Sequence, residues 1–207
     1  MLEDLSIVIP AYNEDNIKLH RIVEDLQMLG AQVTVVDDGS KDPFPTAICH
    51  PENRGYGEAI MTGIRFSKND IILTMDADGQ HRIEDVINLY KVWKMLEVDM
   101  LVGARRLDYE EPLRMWGRKG LNFIASLFTG IYMQDMNSGL RMFKKNIALG
   151  YFPILCKTFS FTTSLIMSFM TDKYRVEWFP IKVLKRNSGK SHVNVISVSC
   201  GMESNEI

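Results

Sequence analysis

The sequence predicts an α/β fold in which a mostly parallel sheet is covered by helices on both faces. Short apolar runs rich in β-branched residues alternate with stretches of helical periodicity over residues 5–103. Acidic residues recur where those apolar runs end, as is typical of the ligand-binding edge of such a sheet. With 207 residues, 46% of them apolar, the chain is long enough for one well-buried domain.

The elements of the first half follow one another as βαβ units. Apolar runs predict strands at Leu5–Pro10, Gln32–Asp37, Ile71–Asp76 and Met100–Gly103. Helical periodicity predicts helices at Asn16–Leu29, which Gly30 ends, at Gly57–Ser67 and at Ile83–Glu97.

After Gly103 the pattern changes and predicts an elaboration of the same domain. Its expected elements are a helix at Leu113–Tyr132, a strand at Gly139–Phe143, a helix at Phe161–Met170 and a strand at Arg175–Leu184. There is no internal repeat, low-complexity tract or Pro/Ser-rich linker. We therefore expect one domain over residues 1–196 and a disordered or truncated tail over 197–207.

Composition excludes several classes of protein. The 24 basic residues balance 26 acidic ones, so no net positive field indicates nucleic-acid binding. Three widely spaced cysteines argue against a disulfide framework and predict a reducing, cytoplasmic setting. The start of the chain lacks a signal-peptide pattern, and no apolar stretch is long enough to span a bilayer. We expect a protein that is neither secreted nor integral to a membrane.

Five carboxylates are expected to converge at the carboxyl ends of the strands: Glu14, Asp37, Asp38, Asp76 and Asp78. Like charges brought together in this way need a cation or hydrogen-bond donors to neutralise them. The alternative is that each acid caps a helix or turns a loop. The Asp76-Ala77-Asp78 segment can aim two carboxylates at one hard cation, which predicts a site for Mg²⁺ or Mn²⁺.

Four segments resemble glycosyltransferase family 2 in order and spacing: IVIPAYNE at 7–14, VVDDGS at 35–40, NRGYGEA at 53–59 and DADGQ at 76–80. The resemblance covers residues 5–192. It implies the GT-A fold, a Rossmann-like sheet with acceptor-side elaboration in the second half, and an inverting, metal-dependent glycosyltransferase.

The same resemblance implies roles for individual residues. The nucleotide-sugar pocket would include Pro10, Tyr12, Glu14, Val36, Asp38, Asp76 and Ala77. Asp76 and Asp78 would hold the metal on the diphosphate, and Gln80 would hydrogen-bond near the sugar or the acceptor. The metal would stabilise the charge that builds on the leaving nucleoside diphosphate.

The loop over residues 53–57 allows two interpretations. Its backbone N–H groups could bind an anion at the start of a helix. Alternatively its glycines serve only a tight turn, which is the interpretation we favour because the full phosphate-loop pattern is absent.

The segment QDMNSGLR at 134–141 resembles the polyprenyl-phosphate branch of the family. This implies that Arg118, Ser138 and Arg141 contact an acceptor phosphate and that Asp135 and Arg141 belong to the catalytic set with Asp78 and Gln80. Arg105 would face a phosphate as well, since guanidinium groups suit bidentate contacts with oxyanions. A solvated surface role is the alternative for Arg105.

Residues 186–192 resemble the diphosphate-binding loop of the same branch. Arg186 stands at the usual arginine, but His192 replaces the usual lysine six residues further on. Lys190, or His192 when protonated, would take over that contact.

The segment 112–131 combines basic residues beside Trp116 with an apolar helical stripe. Such a helix lies either in a membrane interface or in an ordinary core.

The resemblance implies transfer of a hexose from a GDP- or UDP-hexose to a polyprenyl (dolichyl or undecaprenyl) phosphate by a protein peripheral to the cytoplasmic membrane face. An ionised phosphate needs no general base. One alternative is a sugar hydroxyl acceptor, for which Asp135 would serve as the base. The other is a catalytically silent protein that binds nucleotide sugars.

Overall fold

The computed structural model describes residues 1–105 and 135–182. The strands of this part are β1 Leu5–Ala11, β2 Gln32–Asp37, β3 Ile48–Cys49, β4 Ile71–Thr74, β5 Met100–Arg105, β6 Arg141–Lys144 and β7 Val176–Ile181. Its helices are α1 Asn16–Met28, α2 Tyr56–Phe66, α3 Ile83–Met95, α4 Lys145–Tyr151 and α5 Phe161–Thr171.

All the strands join one sheet in the order β3-β2-β1-β4-β6-β5-β7. β1 pairs in parallel with β2 and β4, and β5 pairs in parallel with β7, whereas β6 runs antiparallel between β4 and β5. The predicted α/β class with a mostly parallel sheet is therefore confirmed. The chain builds β2 on one side of β1 and β4 on the other, so the strand order reverses at β1, where such sheets bind ligands.

Helices cover both faces of the sheet and bury a separate core on each. α1 and α3 pack on one face through Leu19, Leu26, Val86 and Leu89. On the other face α2 and α5 bury apolar residues that include Ile60, Ile64, Phe161, Leu165 and Phe169. Gly63 lets α2 approach β1 closely, because a Cβ there would lie 2.3 Å from Cγ1 of Val8.

Local sequence signals explain the ends of α1. The Asp15 carboxylate caps the helix by accepting from the N–H groups of Ile17 and Lys18, at 3.0 and 3.3 Å. Gly30 follows the helix at a φ of +92°, a conformation that favours glycine. Both ends lie within one residue of the prediction.

Three features differ from the sequence prediction. β4 ends at Thr74, so Asp76 and Asp78 lie in the loop beyond it. The short strand β3 and the seven-residue helix α4 were not predicted. The predicted helix at 113–132, the end of the last predicted strand and the predicted tail lie outside the described residues.

The described residues bear on two predictions, one about membrane-spanning segments and one about the cysteines. No helix in this part has the length and apolar composition that crossing a bilayer requires. Cys49 and Cys156 are free thiols.

Candidate active site

Asp76 lies where the loop after β4 meets the start of α2 and the segment before β6. The Tyr56 hydroxyl donates to its Oδ1 at 2.8 Å, and Nε2 of His81 is 3.5 Å from its Oδ2. Burial acts to raise the pKa of the Asp76 carboxyl, but the hydrogen bonds from His81 and Tyr56 and the charges of His81 and Arg105 outweigh it and lower the pKa. Asp76 is therefore ionised at neutral pH.

Gly139 provides the space that the Asp76 carboxylate occupies. A Cβ at position 139 would lie 2.1 Å from Oδ2 and 2.4 Å from Oδ1 of Asp76. The carbonyl of Gly139 accepts a hydrogen bond from the Thr74 hydroxyl at 2.9 Å, which fixes this glycine against the end of β4. A residue with any side chain at 139 would displace the carboxylate.

Asp78 follows in a tight turn. Its Oδ1 accepts from the N–H of Gln80 at 3.0 Å, and Gly79 has a φ of +75° that allows the turn. Asp78 and Gln80 are both half-buried.

The donor chemistry of Asp76 and Asp78 is suited to a divalent ion whose coordination a ligand would complete. Two carboxylates two residues apart supply hard oxygen donors. In residues 1–105 and 135–182, no cluster of three or more Asp, Glu, His or Cys residues forms a complete metal site. Mg²⁺ and Mn²⁺ suit such an incomplete set when the phosphates of a substrate complete the coordination.

The residues expected to bind the nucleotide lie near the ends of β1, β2 and β4. Pro10 and Val36 are register partners on these strands, and both are buried, as is Ala77 after β4. Tyr12 is exposed and Glu14 is half-buried in the loop after β1. Asn13 accepts from the N–H of Lys41 at 3.1 Å, which ties this loop to the one after β2.

Asp38 stands at the expected strand end but faces the protein interior. Its Oδ1 is 2.7 Å from Nδ1 of His50 and accepts from the N–H of Arg54 at 2.9 Å. Its Oδ2 accepts from the N–H of Gly55 at 2.8 Å, and its side chain is 5% exposed. The expected contact with a base or ribose does not agree with this placement, because the carboxylate already binds the loop at 53–55.

The structure supports part of each interpretation of the loop over residues 53–57, as an anion-binding segment and as a tight turn. Its N–H groups do bind an anion, but the anion is the carboxylate of Asp38. Gly55 and Gly57 allow close packing, since a Cβ at either would lie within 2.6 Å of the carbonyl oxygen of Lys157 or Cys156. The glycines therefore have a structural role.

Arg105 and Asp135 form a bidentate ion pair. Nε and Nη2 of Arg105 donate to Oδ2 and Oδ1 of Asp135 at 2.8 and 2.9 Å. The Asp135 side chain is 1% exposed and that of Arg105 is 30% exposed. Arg105 is therefore held by an ion pair and is not a freely solvated side chain. Asp135 does not fit the expected catalytic role, because both of its oxygens accept from a guanidinium.

Arg141 and Ser138 also differ from the expectation. Arg141 is fully buried and donates to the carbonyls of Ser138, Met136 and Thr162. Burial lowers the pKa of its guanidinium to about 10, which leaves it charged at neutral pH. The buried Ser138 hydroxyl donates to the carbonyl of Gly103 at 2.6 Å. Both side chains direct their donors at carbonyls of the surrounding loop, which does not agree with the expected contact to an acceptor phosphate.

Four predicted site residues lie outside the described residues: Arg118, Arg186, Lys190 and His192. Conversely, sequence reasoning missed Tyr56 and His81, which both contact Asp76. Tyr56 lies in the segment 53–59 that resembles the family, so the sequence offered a reason to consider it. Nothing in the sequence linked His81 to a neighbouring carboxylate.

The acidic pair lies beyond β4, next to the point where the mostly parallel sheet reverses its strand order and where such sheets bind ligands. The model of "Glycosyl transferase family 2" matches residues 6–160, and the chain belongs to this family.

Relatives with named activities transfer sugars to lipid phosphates. The chain is 32% identical over 174 residues to a UDP-N-acetylglucosamine–dolichyl-phosphate N-acetylglucosaminyltransferase of Methanococcus voltae, with 68% of this chain and 69% of the relative covered. It is 31% identical over 166 residues to an undecaprenyl-phosphate 4-deoxy-4-formamido-L-arabinose transferase of Shewanella sediminis, covering 70% of this chain but only half of that protein.

Solved structures share the fold at low identity. Glucosyl-3-phosphoglycerate synthase of Mycobacterium tuberculosis, in complex with Mn²⁺ and UDP-glucose, superposes with a TM-score of 0.71 at 16% identity, covering 90% of this chain and 72% of that one. The GT-A fold predicted from the sequence is confirmed.

Tyr56→Phe tests how far the hydroxyl contributes to holding Asp76. The variant removes one hydrogen bond to an ionised carboxylate but keeps the ring, so we expect turnover to fall about 10-fold. The melting temperature should change little, because the ring still packs. Steady-state transfer and thermal unfolding of both proteins provide the measurement. An unchanged turnover would show that the Tyr56 hydroxyl does not contribute to catalysis.

Proposed function

We propose that this chain transfers a hexose from a UDP- or GDP-hexose to a polyprenyl phosphate, with inversion at the anomeric carbon. The observation that carries the proposal is the acidic pair Asp76 and Asp78, held at the strand-order reversal. The named activities of the relatives in Methanococcus voltae and Shewanella sediminis support the acceptor class.

Asp76 and Asp78 would hold Mg²⁺ or Mn²⁺ on the donor diphosphate. When bound, the ion supplies Lewis-acid stabilisation of the charge on the leaving nucleoside diphosphate. Tyr56 and His81 orient the Asp76 carboxylate and lower its pKa. The carboxylate is therefore already ionised when the metal ion binds. The nucleotide would lie toward Pro10, Tyr12, Glu14 and Val36, at the ends of the two neighbouring strands.

The Arg105–Asp135 pair favours an acceptor that is already ionised. A carboxylate whose two oxygens accept from one guanidinium is stabilised in its charged form and is a weak proton acceptor. A polyprenyl phosphate is an anion near neutral pH and needs no base, whereas a sugar hydroxyl does.

Asp135→Asn separates the two acceptor classes. Removal of a general base costs about 10²- to 10⁴-fold in rate. We expect the folded variant to keep at least about a tenth of wild-type turnover with farnesyl phosphate, because no proton is removed from that acceptor. Steady-state transfer to farnesyl phosphate and to farnesol, with thermal unfolding as the folding check, provides the measurement.

Two results together would favour the hydroxyl acceptor instead. They are efficient transfer to farnesol by the wild type and a loss of about 100-fold or more in a folded Asp135→Asn protein. Donor binding without hydrolysis or transfer to either acceptor would favour the catalytically silent alternative.

A further inference from the structure

An exposed aromatic ring stands beside the acidic pair. Phe159, in the segment between α4 and α5, is 44% exposed. Its ring stacks on that of Tyr56, with the centroids 5.2 Å apart and the planes 19° from parallel. Because the Tyr56 hydroxyl donates to Asp76, the Tyr56 ring lies between Phe159 and the Asp76 carboxylate. An isolated exposed phenylalanine is ordinary, but its place at the edge of an active site is informative.

The backbone around Phe159 is held firmly. The Lys157 carbonyl accepts from the N–H of Glu58 at 3.1 Å, and the Thr158 carbonyl accepts from the N–H of Phe161 at 3.0 Å. Gly55 and Gly57 let the segment at 156–158 lie directly against the start of α2. The ring is thus positioned in advance, which reduces the entropy lost when a ligand contacts it.

The charged and apolar parts of the site are separate. Asp76 and Asp78 supply carboxylates that suit a metal ion. Tyr56 and Phe159 add a flat apolar surface directly beside them. A polyprenyl phosphate has the matching division, since its apolar chain begins at the atom that carries the phosphate. A sugar acceptor offers hydroxyl groups there instead.

We propose that Phe159 contacts the isoprene chain of the acceptor near its phosphate and so helps to select a polyprenyl phosphate. This inference rests on the proposed function and assigns selection of the acceptor to Phe159. Burying the exposed part of a phenyl ring against isoprene units is worth about 10-fold in affinity or more.

The test is the dependence of transfer on acceptor length in the full chain. Wild type, Phe159→Ser and Phe159→Leu are compared with dimethylallyl phosphate and farnesyl phosphate at saturating donor. The control is Phe66→Ser, which removes an exposed phenylalanine from the opposite end of α2. We expect the advantage of farnesyl over dimethylallyl phosphate in kcat/KM to shrink about 10-fold in Phe159→Ser. Phe159→Leu should keep most of that advantage, and Phe66→Ser should keep all of it.

The other outcomes each have a distinct meaning. An equal loss with both acceptors would overturn the inference, because Phe159 would then only support Tyr56. A raised KM for the donor would overturn it in favour of contact with the donor sugar, and an unchanged length dependence would also contradict it. If the wild type transfers to neither phosphate, the proposed function itself fails.

Discussion

The Asp78→Asn variant is expected to lose at least about a thousandfold in turnover while keeping its fold. Asp78 is half-buried in a turn that the N–H of Gln80 holds, and an asparagine can accept the same hydrogen bond. The neutral amide, however, weakens the hold on a divalent ion. Stabilisation of the leaving group by that ion is worth several kcal/mol, and each factor of ten in rate corresponds to about 1.4 kcal/mol.

Asp70→Asn provides a control with the same change in charge. Asp70 is exposed and precedes β4, at the opposite end of the strand from the acidic pair. We expect wild-type activity from Asp70→Asn and none above background from Asp78→Asn. The measurement is steady-state transfer with Mg²⁺, with Mn²⁺ and in chelator, alongside thermal unfolding. Full activity of Asp78→Asn in chelator would show that transfer does not depend on a divalent ion.

Gly139→Ala is expected to lower turnover about 100-fold or more with little change in stability. The new Cβ would lie 2.1 Å from Oδ2 of Asp76, in the space that the carboxylate occupies. The atoms that must move are the end of a side chain, so the backbone can stay in place while Asp76 turns away from Tyr56. Misplacement of a catalytic group by about 1 Å can cost about 100-fold.

Gly150→Ala is the matched control for this substitution. A Cβ at Gly150 would meet nothing within 4 Å, and the residue lies in α4, where alanine is favoured over glycine. We expect unchanged transfer and equal or higher stability. Wild-type activity in Gly139→Ala would show that the position of Asp76 against Gly139 is not needed for catalysis. A collapse of thermal stability would show that the backbone, not the side chain, resists the change.

Local sequence signals were sufficient to predict most of the described strands and helices, and the acids that follow β1, β2 and β4. Apolar runs place β1, β2 and β4, and Asp15 with Gly30 marks the ends of α1, because these signals are local. The direction of β6 was not predicted, since strand periodicity does not report pairing. α4 has too few residues to show a helical period.

The direction in which side chains face was much harder to predict. Asp38 and Asp76 both follow apolar strands, yet one binds an internal loop and the other meets Tyr56 and His81 at the site. Arg141 resembles a phosphate-binding residue, but it is buried among carbonyls that only the folded loop brings together. These contacts join residues from separate elements, which local patterns cannot specify.

The most direct test of the central claim is a transfer assay with the purified chain. UDP- and GDP-hexoses are supplied with Mn²⁺ or Mg²⁺ and farnesyl phosphate, and the products are identified by mass. We expect a hexosyl farnesyl phosphate that forms only when a divalent ion is present, with farnesol remaining unmodified. A hexosyl farnesol, or transfer to farnesyl phosphate that continues in chelator, would contradict the account.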